Sequence, residues 1–226
     1  MSSDPAICAA PFEDELTLTR RVAGGDRAAF EIIMRRYNRR LYRLARASLR
    51  DDSEAKDALQ EAYLNAYRGI GSFRGEATLS TWLSRLVLNE CSVRQRRSAR
   101  RRDIIPLVSS DTNRTETESV ADVAEAPDRA AARTQLRAFL ESKLGELPEA
   151  LRVVFVLRSV EELSVAEAAQ TLGIAEETVR VRHFRAKGML REALAREIDL
   201  AETDLFEFGG VHCDGVVASV LAKLSL

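Results

Sequence analysis

Three groups of side chains in this 226-residue sequence have types and spacing that could do chemistry. Arg94, Arg96 and Arg97 lead into Arg100, Arg101 and Arg102, and they close a segment in which Arg85, Asn89, Ser92 and Arg96 recur on one helical face. Farther on, Arg180, Arg182, Arg185 and Lys187 interleave with Val181 and Phe184 and follow Glu177. A guanidinium is a planar, bidentate donor to phosphate and to guanine edges, so arginines ranged along helices suit nucleic-acid contact. Just before the first run, Gly69, Gly71 and Gly75 punctuate a loop that presents Phe73 and Arg74, an aromatic and a guanidinium suited to an unpaired strand. The third group is acidic: Asp57, Gln60 and Glu61 are i, i+3 and i+4 neighbours that give one helix face a hydrogen-bonding rim.

Bond-making chemistry has no comparable signal. The sequence lacks a Gly-rich phosphate loop, a nucleophile elbow and an acid–base constellation, so no enzymatic activity and no cofactor are expected. Cys8, Cys91 and Cys213 are scattered and, with the adjacent His212, do not match zinc-ligand spacing; no metal is expected. Cys91 reads as a small buried residue. An odd, unpaired cysteine set fits a reducing compartment. The start MSSDPAICAAPFEDE has neither a basic leader nor a long apolar run, and no stretch approaches the roughly 20 apolar residues of a membrane span. The expectation is a cytoplasmic protein without membrane insertion. A net charge of -1 conceals a basic run at 94–102 followed by acidic Asp111, Glu116, Glu118, Asp122, Glu125 and Asp128. The near-absence of lysine beside arginine is a bias that a GC-rich genome would also produce.

The positioning elements are all helical in pattern. After a flexible, Pro-containing tail, a short helix from Glu13 to Ala23 ends at Gly24 and Gly25. Asp26 can cap a long helix with Phe30, Ile33, Met34, Tyr37, Leu41 and Leu44 on its apolar stripe and Arg35, Arg36, Arg39, Arg40 and Arg43 on the wet side. Ala55, Leu59, Ala62 and Ala66 mark a second long helix, and Thr78 caps a third whose buried stripe is Trp82, Leu83, Leu86 and Val87. Between Asp103 and Ala126 a Ser-, Thr- and acid-rich stretch without period reads as a linker. Leu136, Phe139, Leu140, Leu144 and Leu147 then form a new stripe, and Pro148 opens the next helix. Ser164 with Glu167 is a capping box, Gly173 ends that helix, and another starts near Glu176: a helix-turn-helix. Val179, His183, Ala186 and Leu190 should face inward. In the tail, Val216, Val217, Val220, Leu221 and Leu224 suggest a short amphipathic helix capped by Asp214 after a Gly209–Gly210 hinge.

The segments DALQEAYLNAYR and SFRGEATLSTWLSRLVLNE, followed by the arginine run and later by the helix-turn-helix, resemble regions two and four of the extracytoplasmic-function RNA polymerase sigma factors. The resemblance spans about Phe12 to Arg196. It implies an all-α fold of two small helical domains joined by a flexible linker, the second holding the helix-turn-helix. The expected division is 1–11 tail, 12–102 first domain, 103–129 acidic linker, 130–197 second domain and 198–226 extension. It further implies that Asp57, Gln60 and Glu61 face core RNA polymerase, and that Phe73, Arg74, Arg85, Asn89, Arg94, Arg96 and Arg97 handle the minus-ten promoter element. Glu177, Arg180, Val181, Arg182, Phe184, Arg185 and Lys187 would handle the minus-thirty-five element. Promoter DNA, core polymerase and an anti-sigma factor are the implied partners. The competing expectation is a sigma-like decoy that sequesters an anti-sigma factor without reading a promoter.

Overall fold

The computed structural model describes residues 14–104, 127–203 and 218–220, with side chains placed for 14–100, 133–197 and 218–220. Among the described residues every regular element is helical. α1 (Glu15–Ala23) ends at Gly24, and Gly25, at φ 91°, turns the chain into α2 (Arg27–Leu49). The Asp26 carboxylate accepts the Ala29 amide at 3.1 Å, the cap expected from the sequence, and that bond together with Arg21 holds its carboxyl below the usual carboxylate range. α3 (Asp52–Gly69) is capped in the same way by Asp51 on the Glu54 amide at 2.8 Å. A 3₁₀ turn at Ile70–Ser72 leads to the loop before α4 (Leu79–Ile104), where the Thr78 hydroxyl accepts the Thr81 amide at 3.2 Å.

These four helices enclose a core in which Leu18, Ile33, Leu41, Leu79, Leu83 and Val87 are buried. Each such side chain contributes roughly 1.5–3 kcal/mol when fully removed from water. Phe30 meets Tyr63 and Tyr67 edge-on at 6.1 and 5.1 Å between centroids. The Glu15 carboxylate accepts from the Tyr37 hydroxyl and from the Leu79 amide at 3.3 Å, which ties α1 to the positive end of α4. Trp82 and Leu86 are only partly buried, so the stripe expected for α4 is narrower than its spacing suggested. Cys91 is fully buried, and burial pushes its thiol up to about 11.

The later helices are α5 (Pro127–Glu146), α6 (Glu149–Phe155), α7 (Val165–Leu172) and α8 (Glu176–Thr203). Between α6 and α7 the chain winds into a π-helical turn at Val156–Val160, which periodicity did not foretell. The capping box is complete: the Glu167 amide donates to Ser164 Oγ at 3.1 Å, and the Ser164 amide donates to Glu167 Oε2 at 2.8 Å. Gly173 takes φ 65° at the end of α7, so α7, the turn and α8 make the expected helix-turn-helix. The Leu136–Leu147 stripe is not a buried one: Leu136 is 58% exposed and Leu140 36%, while Leu147 is buried. The reason is that α6 and α7 pack against α2 and α4 rather than against α5.

That packing also corrects the expected wet side of α2, because Arg40 and Arg43 are half-buried against Glu161. Residues 105–126, where the acidic linker is expected, lie outside the described residues, as do 1–13 and the tail 204–226 apart from the helical 218–220. One compact unit ends at Ala186 and a second begins at Lys187.

Candidate nucleic-acid interface

The rim of α3 is built by the helix repeat alone. Ala55, Ala58, Leu59 and Ala62 turn into the core, which leaves Asp57 and Gln60 exposed and Glu61 half-buried on the outer side. Leu64, 50% exposed on the next turn, extends this rim; a lone leucine among acids carries no periodicity signal that would mark it out in the sequence. Arg94, expected to meet DNA, reaches back from α4 to this rim: its Nη1 lies 2.9 Å from Glu54 Oε2 and 3.8 Å from Asp57 Oδ2.

At the loop, Gly75 holds φ 73°, a backbone conformation that favours glycine and that leaves Arg74 exposed at the turn. Phe73 is half-buried and leans on Trp82 with 5.6 Å between ring centroids, so the two aromatics support each other rather than one serving the core and one the surface. An open cleft of about 450 Å³ borders this loop, lined by Glu15, Leu16, Phe73, Gly75, Thr78 and, from α7, Gln170. Along α4, Asn89, Ser92, Arg96 and Arg97 are exposed as the spacing required. Arg85 is differently placed: its Nε and Nη2 donate to the Gln170 carbonyl at 2.9 and 2.5 Å, at the C-terminal end of α7.

On α8, Val179 and Ala186 are fully buried, and His183 is half-buried between the Phe155 ring and the Ser159 hydroxyl, 2.8 Å from its Nε2. That registration turns the opposite face outward: Glu177, Arg180, Val181, Phe184, Arg185 and Lys187 are exposed, Phe184 to 80%, and Arg182 is half-buried. Arg180 pairs with Glu176 at 2.7 Å and Glu177 at 3.3 Å. Exposed pairs of this kind contribute about 0.2–1 kcal/mol, little enough for a phosphate to displace.

Sequence reasoning missed a further set. Arg152 is 4% exposed, and its guanidinium donates to the Ala47 carbonyl, to Ser48 O at 3.2 Å and to Leu147 O at 2.7 Å. It thereby satisfies the end carbonyls of α2 from a point far along the chain. Burial lowers its pKa to about 10, aided by the nearby Arg50, so it stays charged at neutral pH. Glu149 accepts from Ser48 Oγ at 2.6 Å, and Glu161 accepts from Arg43 at 2.7 Å. An arginine inside an apolar run is the one local hint; its partners could not be inferred from spacing. Among the described residues no three His, Cys, Asp or Glu side chains are grouped to hold a metal ion, and no helix is long and apolar enough to cross a membrane.

Comparison with known proteins adds to this geometry. The family model described as Sigma-70 region 2 matches residues 33–102, and that described as Sigma-70, region 4 matches 140–190. The chain is 39% identical over 181 residues to the ECF RNA polymerase sigma factor SigM of Mycobacterium tuberculosis, covering 80% of this chain and 84% of that one. It is 32% identical over 182 residues to the RNA polymerase sigma-H factor of Pseudomonas aeruginosa, covering 80% and 94%. Among solved structures, CnrH in complex with the cytosolic domain of CnrY superposes with a TM-score of 0.56 at 25% identity, covering 80% of this chain and 96% of that one.

Proposed function

We propose a function that follows from one premise: this chain belongs to the extracytoplasmic-function family of RNA polymerase sigma factors. It is a promoter-recognising initiation factor that binds core polymerase, directs it to two promoter elements and assists melting at the nearer one. It makes and breaks no covalent bond itself; the polymerase supplies that chemistry. Its work on chromosomal DNA puts it in the cytoplasm, and an anti-sigma factor is its regulatory partner.

The surfaces divide as follows. Asp57, Gln60 and Glu61, extended by Leu64, meet the polymerase, the carboxylates pairing with basic groups there. Phe73 and Arg74 on the loop and Arg85, Asn89, Arg94, Arg96 and Arg97 on α4 take the minus-ten element. Extruding a base costs a few kcal/mol, which stacking on the loop aromatic at roughly 1–3 kcal/mol per base helps to offset. Glu177, Arg180, Val181, Arg182, Phe184, Arg185 and Lys187 on α8 take the minus-thirty-five element, with long donors for base edges and flanking cations for phosphate. The first domain takes 12–102 and the second 130–197.

The observation that carries this reading is the outward face of α8, where the exposed Arg180, Arg185 and Lys187 surround the exposed Phe184 and Arg182 flanks them half-buried. It also disfavours the decoy, for which an exposed cationic reading face has no use. Adding the purified chain to core polymerase and sequencing transcript starts tests the reading. New starts downstream of two recurrent elements are expected. No new starts, with tight capture of an anti-sigma factor, would establish the decoy instead.

A further inference from the structure

We infer that the upstream element is recognised through thymine methyl groups, which Val181 and Phe184 read as an apolar pair set into the cationic face of α8. The inference rests on the functional reading above and names what that face selects.

The pair is held outward by the rest of its helix. Val179 and Ala186 are fully buried and His183 is fixed between Phe155 and Ser159, which sets the register of α8. Val181 and Phe184 then stand 40% and 80% exposed, and Phe184 is the most exposed large apolar side chain among the described residues. Turning the helix to cover them would draw Val179 and Ala186 out of the interior. As i, i+3 neighbours they have Cβ atoms about 5–6 Å apart. Both are stiff, valine through its branched Cβ and phenylalanine through having few side-chain torsions, so each loses little freedom on packing against a partner.

The surroundings say what the partner is. Arg180 and Arg185 bracket the pair in sequence and are exposed, and Arg182 between them is half-buried. An open recess of about 250 Å³ runs beside Val181, lined also by Glu177, Thr178, Arg182 and Arg185. An apolar protein surface laid here would strip water from guanidiniums without offering them an anion. A DNA duplex meets both needs. Its phosphates receive the arginines, and its major groove displays one apolar group, the C5-methyl of thymine, among hydrogen-bond donors and acceptors. Recognition helices touch base edges with their N-terminal residues, and Val181 and Phe184 lie in the second and third turns of α8. Successive bases on a strand rise by about 3.4 Å, so neighbouring thymines come within reach of two side chains spaced in this way. Glu177 in the same recess repels phosphate, which leaves a base edge as the group that enters it.

The test removes the methyl and nothing else. Holoenzyme assembled from core polymerase and the full chain is bound to promoter duplexes mapped from its own transcript starts, with each thymine of the upstream element replaced in turn by deoxyuridine. Affinity should fall about fourfold at one or two neighbouring positions, the effect of returning one methyl-sized group to water, and should hold at the others. The double variant Val181→Ala with Phe184→Ala should bind the unmodified duplex more weakly and no longer distinguish thymine from deoxyuridine. Phe184→Leu, which keeps an apolar tip, should still distinguish them. Equal affinity for every deoxyuridine duplex would overturn the inference, as would an upstream element made of G·C pairs alone. So would a double variant that keeps the full methyl preference, because the methyl would then act through the stiffness of the DNA. Holoenzyme that starts no transcripts would overturn the functional reading, and the inference with it; holoenzyme that starts them and ignores the methyl would overturn the inference alone.

Discussion

The two helical groups stabilise themselves differently. α1 to α4 close on a core made entirely of their own residues, from Leu18 in α1 to Cys91 in α4. The helix-turn-helix group has short helices, Glu149–Phe155 and Val165–Leu172, and completes its core with Leu44 and Ala47 borrowed from α2. The difference follows from size: a few short helices bury too small a fraction of their surface to be stable with much margin. The larger group can therefore act as a rigid platform, while the smaller one holds on by a mixture of packing and charge.

Core truncation gives the sharpest test of this contrast. Leu83→Ala should cost about 2–5 kcal/mol in urea unfolding and speed amide exchange throughout α1 to α4. Leu44→Ala should lose a similar amount, but with exchange accelerating first in α6 and α7 while α3 and α4 stay protected. Equal loosening of α3 and α4 in the second variant would break the comparison.

The outer surfaces should respond without change of fold. Charge reversal at Asp57 and Glu61 should weaken association with core polymerase by about 2–5 kcal/mol with unaltered circular dichroism; retained binding would remove the acidic rim from that role. Arg180→Ala with Arg182→Ala should weaken binding to the upstream element by about 1–3 kcal/mol per base-contacting arginine and flatten the salt dependence. A loss equal at the downstream element would show that α8 is no separate reader.

Smallest is the cap. Ser164→Ala should cost about 1 kcal/mol, measured by thermal unfolding. The Glu167 carboxyl lies below its ordinary value of 4.5 because the Ser164 side chain and then its amide hydrogen-bond it. A lowered folded value means this stabilisation is complete above pH ~4.5 and is lost as pH falls through the folded value. The difference between the two proteins should therefore shrink in acid; a constant difference would assign the effect to helix propensity.

Much of this was legible in the residues alone. Asp26, Thr78, Ser164 and Gly173 announce helix ends because a cap is a contact across three or four positions, and the 3.6-residue repeat told α3 and α8 which faces to bury. The family resemblance was equally local, carried by short segments in order. It was less informative where a side chain could go either way: the α5 stripe looked like a core face yet stands largely exposed, and Trp82 and Phe73 share a role that spacing had divided between them.

The sequence by itself determined the helices, their caps, the helix-turn-helix and the cationic character of two faces, since each depends on neighbours within a turn or two. Tertiary structure alone decided that Arg152 caps α2, that Glu161 draws Arg40 and Arg43 out of solvent, and that Arg85 is held by Gln170. Those partners lie 85 to 121 positions apart or so, and at such separations no periodicity survives; only the folded backbone selects which charge meets which carbonyl.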